Sequence, residues 1–410
     1  MANLSGQTIA DATTLARYVN LYNKQIQDQI NMEDIMFNRI GEDKEGKFVG
    51  ANYIIKLRTG YNWRSFSSRR QDASSMPTAG AGEFVEASVS TAHHYFQFAV
   101  DLVSQARSQG GGAIGPDEIK LALKEGASVG AWNLNRMFYG NVYGRLAELY
   151  AATTGTDQPV KKSPGVIWVR HNMYLDGYDG TTQRVNSIRV VSTTEGTDYD
   201  TITFASSQTT TMAAASYFFL EDSYHASGTE MNGLQAIAST SSTLHGVDPA
   251  TYPDWTAYVN SNSGTYRDFT ITLLKRSLSK MRRGLPAGCT INQILSNDGQ
   301  LDNYYDIIAA QQQFDGSKMK ADYGLTDLSF MNIKWTIDPF CELNKIYLYD
   351  SDKIKKIVTR PFTIENRDGV TLHLTSTSDS LWGRMTGYIN MLCKIRKAIG
   401  MISDLNEPAN

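Results

Sequence analysis

The sequence has few of the residues that mark secreted, metal-binding or membrane proteins. Its three cysteines, Cys289, Cys341 and Cys393, are spread over 410 residues, and their spacing fits neither a disulfide framework nor a metal cluster. The first residues lack the basic region and apolar core of a secretory signal. No run of about 18 apolar residues could cross a membrane. The sequence therefore predicts a soluble protein, made in a cytoplasm, with reduced cysteines.

Net charge is also small. A formal charge of −3 excludes an overall basic nucleic-acid binder, although it leaves room for local basic patches. The hydrophobic and charged fractions, 41% and 20%, are those of an ordinary folded protein, and the length predicts two or three domains. Many tyrosines and glycines, with a Thr/Ser-rich middle, indicate β-structure with frequent turns.

The strongest local pattern is one long helix within residues 115–150. Pro116 suits the first helical position, and Asp117 and Glu118 place negative charge at the positive end of the helix dipole. The helix is predicted from about Asp117 to Phe138, roughly 22 residues or ~33 Å. Its apolar stripe consists of Ile119, Leu123, Ala127, Gly130, Leu134, Met137 and Phe138.

A second amphipathic helix is predicted near the N-terminus. Leu15, Val19, Tyr22, Ile26 and Ile30 recur at three- and four-residue steps. Two interpretations stay open, because the stripe could pack on the core of its own subunit or serve as an arm on a neighbouring subunit.

Residues 46–100 are predicted to form a long β-hairpin that projects from the body. A strand at 48–58 is followed by an aliphatic-poor stretch, 59–87, and by a returning strand made of the runs 84–90 and 95–100. An isolated hairpin is marginal in water, so this one is expected to rest on another subunit. Aromatic and basic side chains together can also bind single-stranded nucleic acid, but we favour the subunit contact. The candidate contact residues of the hairpin and the arm are Leu15, Tyr22, Ile26, Arg58, Tyr61, Trp63, Arg64, Phe66, Arg69 and Arg70.

The rest of the chain divides into a β-rich block and a mixed segment. Short strands at 166–169, 189–192, 201–204 and 217–220 predict a small inserted barrel or sandwich. Residues 228–358 alternate helix and strand, with helices predicted at 267–283 and 301–314. The basic runs 275–283 and 394–397 are interpreted as solvated faces or ion pairs.

Three motifs suggest chemistry and none is convincing. Gly126-Ala-Ser128-Val-Gly130 matches a nucleophile elbow, yet it lies inside the predicted helix, where small residues would let another backbone approach. Gly110–Gly115 matches a dinucleotide fingerprint without the acid that should follow it. His93 and His94 would point to opposite faces of a strand, which suits a metal poorly. No catalytic residue, metal site or cofactor is predicted, and the protein is not expected to be an enzyme.

The order of these elements resembles the major capsid protein of tailed double-stranded-DNA phages. The likeness is carried by Met137–Ala147, which resembles that family's helix-ending turn. Met231–Ile237, with His245-Gly-Val-Asp-Pro and Trp255, and the stretches Gly288–Asn297 and Ile333–Tyr349 resemble its other characteristic passages. The likeness spans most of residues 40–400, and the order of the motifs is its specific part.

The resemblance implies the α+β fold shared by phage capsids, encapsulins and herpesvirus floor domains. It assigns an N-terminal arm to 1–45, an extended loop to 46–100 and an axial domain to 228–358. A peripheral domain with the spine helix takes 101–149 and 359–410, and an inserted β-rich domain takes 150–227.

The implied function is a structural protein whose pentamers and hexamers form an icosahedral phage head. The implied partners are further copies of the chain, a separate scaffolding protein, portal and decoration proteins, and weakly held double-stranded DNA. Assembly would occur in the bacterial host, and the location would be the virion. The alternatives are an encapsulin-like compartment and, from another class, a β-rich hydrolase or glycan-binding protein.

Overall fold

The computed structural model describes residues 39–63, 80–101, 115–311, 329–366, 372–374 and 379–407. Its helices are α1 (Gly115–Tyr139), α2 (Leu234–Ile237), α3 (Ile271–Gly284) and α4 (Asp298–Gln311). Its strands are β1 (Lys47–Val49), β2 (Asn52–Gly60), β3 (Glu83–Ser90), β4 (Ala92–Asp101), β5 (Ala147–Glu148), β6 (Thr153–Val160), β7 (Tyr174–Asp179), β8 (Thr182–Thr194), β9 (Asp200–Met212), β10 (Tyr217–Leu220), β11 (Tyr258–Asn260), β12 (Gln293–Ser296), β13 (Ser329–Phe330), β14 (Ile333–Ile337), β15 (Ile346–Tyr349), β16 (Ile354–Ile364), β17 (His373–Leu374), β18 (Ser380–Cys393) and β19 (Ile399–Ile402).

The long helix predicted from the sequence is present as α1. The C-terminal part of α1 is buried through Ala127, Ala131, Leu134 and Phe138, as their helical spacing predicts. Gly126 lies directly on the ring of Phe96 from β4, so a side chain at this position would collide with that ring. The small residue therefore makes room for an aromatic side chain rather than for another backbone. No helix among the described residues combines the length and hydropathy that a membrane crossing requires.

The predicted hairpin is only partly correct. β2 and β3 pair antiparallel, with Ile55 opposite Ala87, and β1 adds a third strand to their sheet. Residues 95–100 do not continue the returning strand. The chain turns after Ser90, and β4, which contains these residues, pairs along β18 instead. This switch of sheets fixes the end of the hairpin to the body of the molecule.

The inserted β-rich block is a small barrel. Its strand order is β5-β10-β7-β8-β9-β6. The ring closes where Leu149 bridges Val160 and the amide of Lys161 donates to the carbonyl of Glu148 at 2.8 Å. The prediction of a strand at 166–169 is wrong, because these residues form turns. Its apolar side chains are buried there, and the Trp168 indole donates to the carbonyl of Phe340 at 3.0 Å.

The segment 228–358 contributes most of a six-stranded sheet with the order β11-β19-β15-β12-β14-β13, which we call the axial sheet. Helices α3 and α4 pack on one of its faces, through a core that includes Leu278, Leu301, Ile294 and Leu348. The helix predicted from residue 267 begins at Ile271, since the side chain of Thr270 caps it by accepting from the amide of Leu273 at 3.1 Å. The helix predicted at 301–314 begins earlier, at Asp298.

The C-terminal strands do not follow the boundary drawn at residue 358. β16 crosses that boundary and pairs with β18. β19 lies within the axial sheet, where it pairs with β11 on one side and with β15 on the other. The basic run 394–397 also departs from its prediction at one position. Lys394 and Lys397 form ion pairs, but Arg396 is fully buried and donates to the carbonyls of Ile237, Ser242 and Trp255.

Candidate assembly surface

The sheet formed by β1, β2 and β3 has a buried side and an exposed side. Residues alternate along a strand, and Tyr53, Leu57, Ala87 and Val89 all turn towards the body and are buried. The residues between them turn outwards into solvent. This alternation places Arg58 of β2 directly opposite Phe84 of β3 on the exposed side.

An aromatic patch, defined here as Arg58, Tyr61, Trp63 and Phe84, lies at the outer end of this sheet. The Arg58 guanidinium lies 4.3 Å from the centre of the Tyr61 ring and 5.6 Å from that of Phe84. The Tyr61 and Trp63 rings are 6.1 Å apart. The residues Tyr61, Trp63 and Phe84 are nevertheless 61%, 83% and 66% exposed. Large aromatic side chains clustered on a surface are typical of a contact with another macromolecule.

The other end of the sheet is firmly attached. Tyr53 and Val89 form a small core with Ile357 of β16 and Leu392 of β18. The amide of Ser88 donates to the carbonyl of His245 at 2.9 Å. The sheet thus presents its aromatic patch from a fixed base, which lowers the conformational entropy that a contact would cost.

A buried-side hydrogen-bond network reinforces this base. The Tyr53 hydroxyl donates to the Asp43 carboxylate at 2.5 Å, and Lys394 lies 2.6 Å from the same carboxylate. Burial and the bond to Asp43 raise the pKa of Tyr53 to about 12. Burial alone would raise the pKa of Asp43, but hydrogen bonds from Lys394 and Tyr53 outweigh it and hold that pKa below its usual value. At neutral pH the Asp43 carboxylate is therefore charged and the Tyr53 hydroxyl keeps its proton, so the network is intact.

A groove runs alongside the aromatic patch. It encloses about 1280 Å³ between the sheet, the turn that follows α3 and the run 394–397. Tyr61 and Trp63 line one end, and Leu285, Pro286 and Ala287 line another part. A groove of this size, with an aromatic end and several charged walls, can receive a segment of another chain.

Three of the predicted contact residues are brought together in this region, namely Arg58, Tyr61 and Trp63. The other seven lie outside the described residues: Leu15, Tyr22, Ile26, Arg64, Phe66, Arg69 and Arg70. Phe84 was missed as a contact residue, although it was assigned to a strand. Its signal was the alternation of β3, where the aromatic residue occupies a position out of register with the inward-facing Val85, Ala87 and Val89.

The chemical motifs have structural explanations where they are described. Ser128 lies within the continuous helix α1, so it has no nucleophile elbow around it. His93 and His94 do face opposite ways: His94 is buried against the Phe362 ring, and burial lowers its pKa to about 4. Among the described residues, no three metal-ligating side chains cluster. Most of the glycine-rich run 110–115 lies outside them.

The cysteines of the described chain are unpaired, in keeping with their wide spacing. Cys341 and Cys393 are completely buried, and burial raises the pKa of the Cys393 thiol to about 12. A thiol of this kind stays protonated and unreactive at neutral pH. These residues therefore serve packing.

Comparisons with known proteins place this geometry in a known fold. No family model matches the sequence, and no curated protein matches it. Solved structures do match. A subunit of the cyanophage A-1(L) capsid superposes with a TM-score of 0.54 at 16% identity, over 90% of this chain and 91% of that chain.

Two further structures match at lower similarity. The capsid of a native GTA particle gives a TM-score of 0.46 at 10% identity, over 90% of both chains. The SrpI encapsulin of Synechococcus elongatus gives 0.43 at 6% identity, over 90% of this chain and 86% of that one. The cyanophage match by itself confirms the expected α+β fold of phage capsid proteins.

Proposed function

We propose that this chain is the major capsid protein of a tailed phage, a structural subunit that assembles into an icosahedral shell. The carrying observation is the exposed aromatic patch on a firmly based sheet, in a chain with a capsid-protein fold. An isolated subunit would leave Tyr61, Trp63 and Phe84 in water, whereas contact with a second copy would bury them. Many such contacts, each weak, become strong together in a closed symmetric shell.

The proposal gives each region a role. The sheet of β1–β3 would be the extended loop that reaches a neighbouring subunit, with Arg58, Tyr61, Trp63 and Phe84 at the contact. The arm residues Leu15, Tyr22 and Ile26 and the hairpin residues Arg64, Phe66, Arg69 and Arg70 are proposed as further contacts. Helix α1 would be the spine of a peripheral domain, and the axial sheet would surround the five- and six-fold axes.

The proposed role is mechanical, so no catalytic step is assigned to any residue. Scaffolding, portal and decoration proteins are proposed as assembly partners inside the host cell, and double-stranded DNA as the packaged content. The near-neutral charge of the chain supports only a weak grip on that DNA.

The direct test is assembly of the purified protein, alone and with its co-expressed scaffolding candidate. Size-exclusion chromatography and negative-stain microscopy should reveal capsomers or closed shells. The Trp63→Ala variant should remain folded by circular dichroism but assemble poorly, and Tyr143→Ala, which removes another exposed aromatic residue away from the patch, is the matched control.

Three outcomes would contradict the proposal. Wild-type protein that stays monomeric under all assembly conditions would argue for a self-sufficient hydrolase or glycan-binding protein. Shells that co-purify with an enzyme instead of DNA would identify an encapsulin-like compartment. Unchanged assembly of Trp63→Ala, with assembly of wild type intact, would remove the aromatic patch from the contact.

A further inference from the structure

Two helices at opposite edges of the axial sheet carry opposite charges that form no ion pair with the residues that the structure describes. Helix α3 packs over the edge formed by β11 and β19. There the side-chain amide of Asn260 donates a hydrogen bond to the Ser277 hydroxyl at 2.9 Å, and Met281 lies against Gly400. Helix α4 packs over the other edge, where the Tyr304 ring lies 5.2 Å from Trp335 of β14 and 5.9 Å from Phe330 of β13. Six strands about 4.8 Å apart separate these edges by roughly 24 Å.

The charged residues on the exposed face of α3 are all basic. The helix contains no acidic residue, and its five cations are all exposed: Lys275, Arg276, Lys280, Arg282 and Arg283. None of the five forms an ion pair with any residue that the structure describes, whereas Lys394 and Lys397 nearby are paired. Arg276 and Lys280 stand one turn apart, a spacing at which like charges repel and destabilise the helix.

The exposed face of α4 is acidic over its described part. Asp298, Asp302 and Asp306 recur every four residues, so they form a ridge with about 6 Å between neighbours along the axis. They also lack ion-pair partners among the described side chains. Partial burial, followed by repulsion from Asp298 and Asp306, raises the pKa of the Asp302 carboxyl. Both helices thus carry self-repulsion that an oppositely charged partner would relieve.

Resting on the proposed function, we propose that the basic face of α3 docks on the acidic ridge of α4 in the next copy of this chain. The spacings are compatible, because Arg276 and Lys280 are also about 6 Å apart along their axis. Since the two faces differ and lie at opposite edges, the contact is head-to-tail and repeats around a ring. The charges would thereby fix the order of axial domains within each capsomer.

Packaged nucleic acid is the competing occupant of the α3 face. Phosphates would satisfy the five cations, but they would leave the acidic ridge of α4 without a partner. The absence of aromatic residues from α3 also removes base stacking as a source of affinity. A second copy satisfies both faces at once and is therefore favoured.

Charge reversal and its repair test the contact. Lys280→Glu alone and Asp302→Lys alone should each slow assembly about tenfold or more, because like charges then oppose each other across the contact. The double variant, Lys280→Glu with Asp302→Lys, should recover assembly. An equimolar mixture of the two single variants should also recover it in six-membered rings, where the two variants can alternate and every contact regains opposite charges.

The controls separate this inference from the proposed function. Arg170→Glu makes the same charge change at an exposed site on the barrel and should assemble like wild type. If wild type assembles and the single reversals do too, the helix contact is wrong while the capsid function stands. If the single reversals assemble normally but Lys280→Glu binds duplex DNA less tightly than wild type, the α3 face belongs to nucleic acid. If wild type fails to assemble, the proposed function itself is contradicted.

Discussion

The β1–β3 sheet and the axial sheet use the same aromatic residue types in opposite environments. Trp335 of the axial sheet is 4% exposed and lies within 6.3 Å of the Phe269 ring, whereas Trp63 beside the β1–β3 sheet is 83% exposed. Tyr304 is packed among Phe269, Phe330 and Trp335, whereas the ring and cation contacts of Tyr61 with described residues are to Trp63 and Arg58.

This difference in exposure distinguishes residues that stabilise the folded subunit from residues that are available for contacts between subunits. The axial sheet is covered on both faces, by α3 and α4 on one side and by a core containing Tyr347 and Cys341 on the other. The described residues cover the β1–β3 sheet on one face only. Its exposed aromatic side chains contribute little to folding, because they are still in water when the chain has folded.

The largest expected effect comes from truncating the two tryptophans. Trp335→Ala should lower the free energy of unfolding of the dissociated subunit by about 3–5 kcal/mol, since it leaves a cavity and removes the indole bond to Ser296. Trp63→Ala should change it by less than about 0.5 kcal/mol. Urea titration followed by fluorescence and circular dichroism measures both, and equal losses would remove the distinction between the two sheets.

Mild acid should loosen the base of the β1–β3 sheet before the axial sheet. Burial lowers the pKa of His94 to about 4 and that of His245 to about 3, from 6.5 in the unfolded chain, and nearby Arg136 and Arg396 add to this. The unfolded state therefore binds more protons below pH 6.5. Stability should fall as the pH drops from there, by up to roughly 1.4 kcal/mol per pH unit for each histidine.

Hydrogen exchange at neutral and mildly acidic pH locates this effect. Amides of β2, β3 and β18 should lose protection first, because His245 accepts from the amide of Cys393 at 3.0 Å while its own carbonyl holds Ser88. The axial sheet should lag, since residues 246–372 contain no histidine. His225→Gln, at an exposed site, is the control, and uniform loss of protection would contradict the prediction.

A smaller loss is expected where the tail joins the two regions. Burial lowers the pKa of Arg396 to about 10, so the side chain stays charged and donates to several loop carbonyls. Arg396→Met should cost about 2 kcal/mol of subunit stability, because it leaves those carbonyls unpaired. Arg282→Met, on the exposed face of α3, is the matched control. If both variants lower the free energy of unfolding equally, the buried hydrogen bonds of Arg396 contribute nothing to stability.

The smallest effect is expected from substitution of Arg58 in the aromatic patch. Arg58→Gln should weaken each subunit contact by about 0.5–1 kcal/mol, because the cation–π interactions that hold the exposed Tyr61 and Phe84 rings in place gain strength only when a contact removes water from them. Arg58→Lys should lose less, because it keeps the charge. The concentration needed for assembly measures both, with subunit stability expected to be unchanged. A change in stability without a change in assembly would assign Arg58 to folding instead.

Much of the fold was predictable because it depends on local pattern. The stripe of α1, its proline start and its glycine end predict the observed helix to within two residues at its start and one at its end. Arg58, Tyr61 and Trp63 were identified because aromatic and basic residues stand out in an aliphatic-poor stretch. Phe84 was overlooked as a contact because its exposure depends on what covers the other side of its strand.

The errors share a physical cause. The run 166–169 has the composition of a strand, but its apolar side chains are buried in turns against the region around Phe340. Residues 95–100 have the pattern of a returning strand, but the pattern does not reveal whether β2 or β18 is the partner. Arg396 looks solvated in a basic run, and only the carbonyls of a distant loop make its burial favourable.

Sequence patterns predicted the α+β class, the long helix α1, the helix α3 with its basic residues, most of α4, and the aromatic residues that follow β2. Periodicity and composition report how each residue relates to its neighbours along the chain, so they suffice for these features. Three features depend on tertiary contacts, namely the pairing of β4 with β18, the closure of the barrel and the entry of β19 into the axial sheet. Those pairings join residues up to 297 positions apart in the chain, as Ala92 of β4 and Ile389 of β18 are, and they depend on which apolar faces can be buried together.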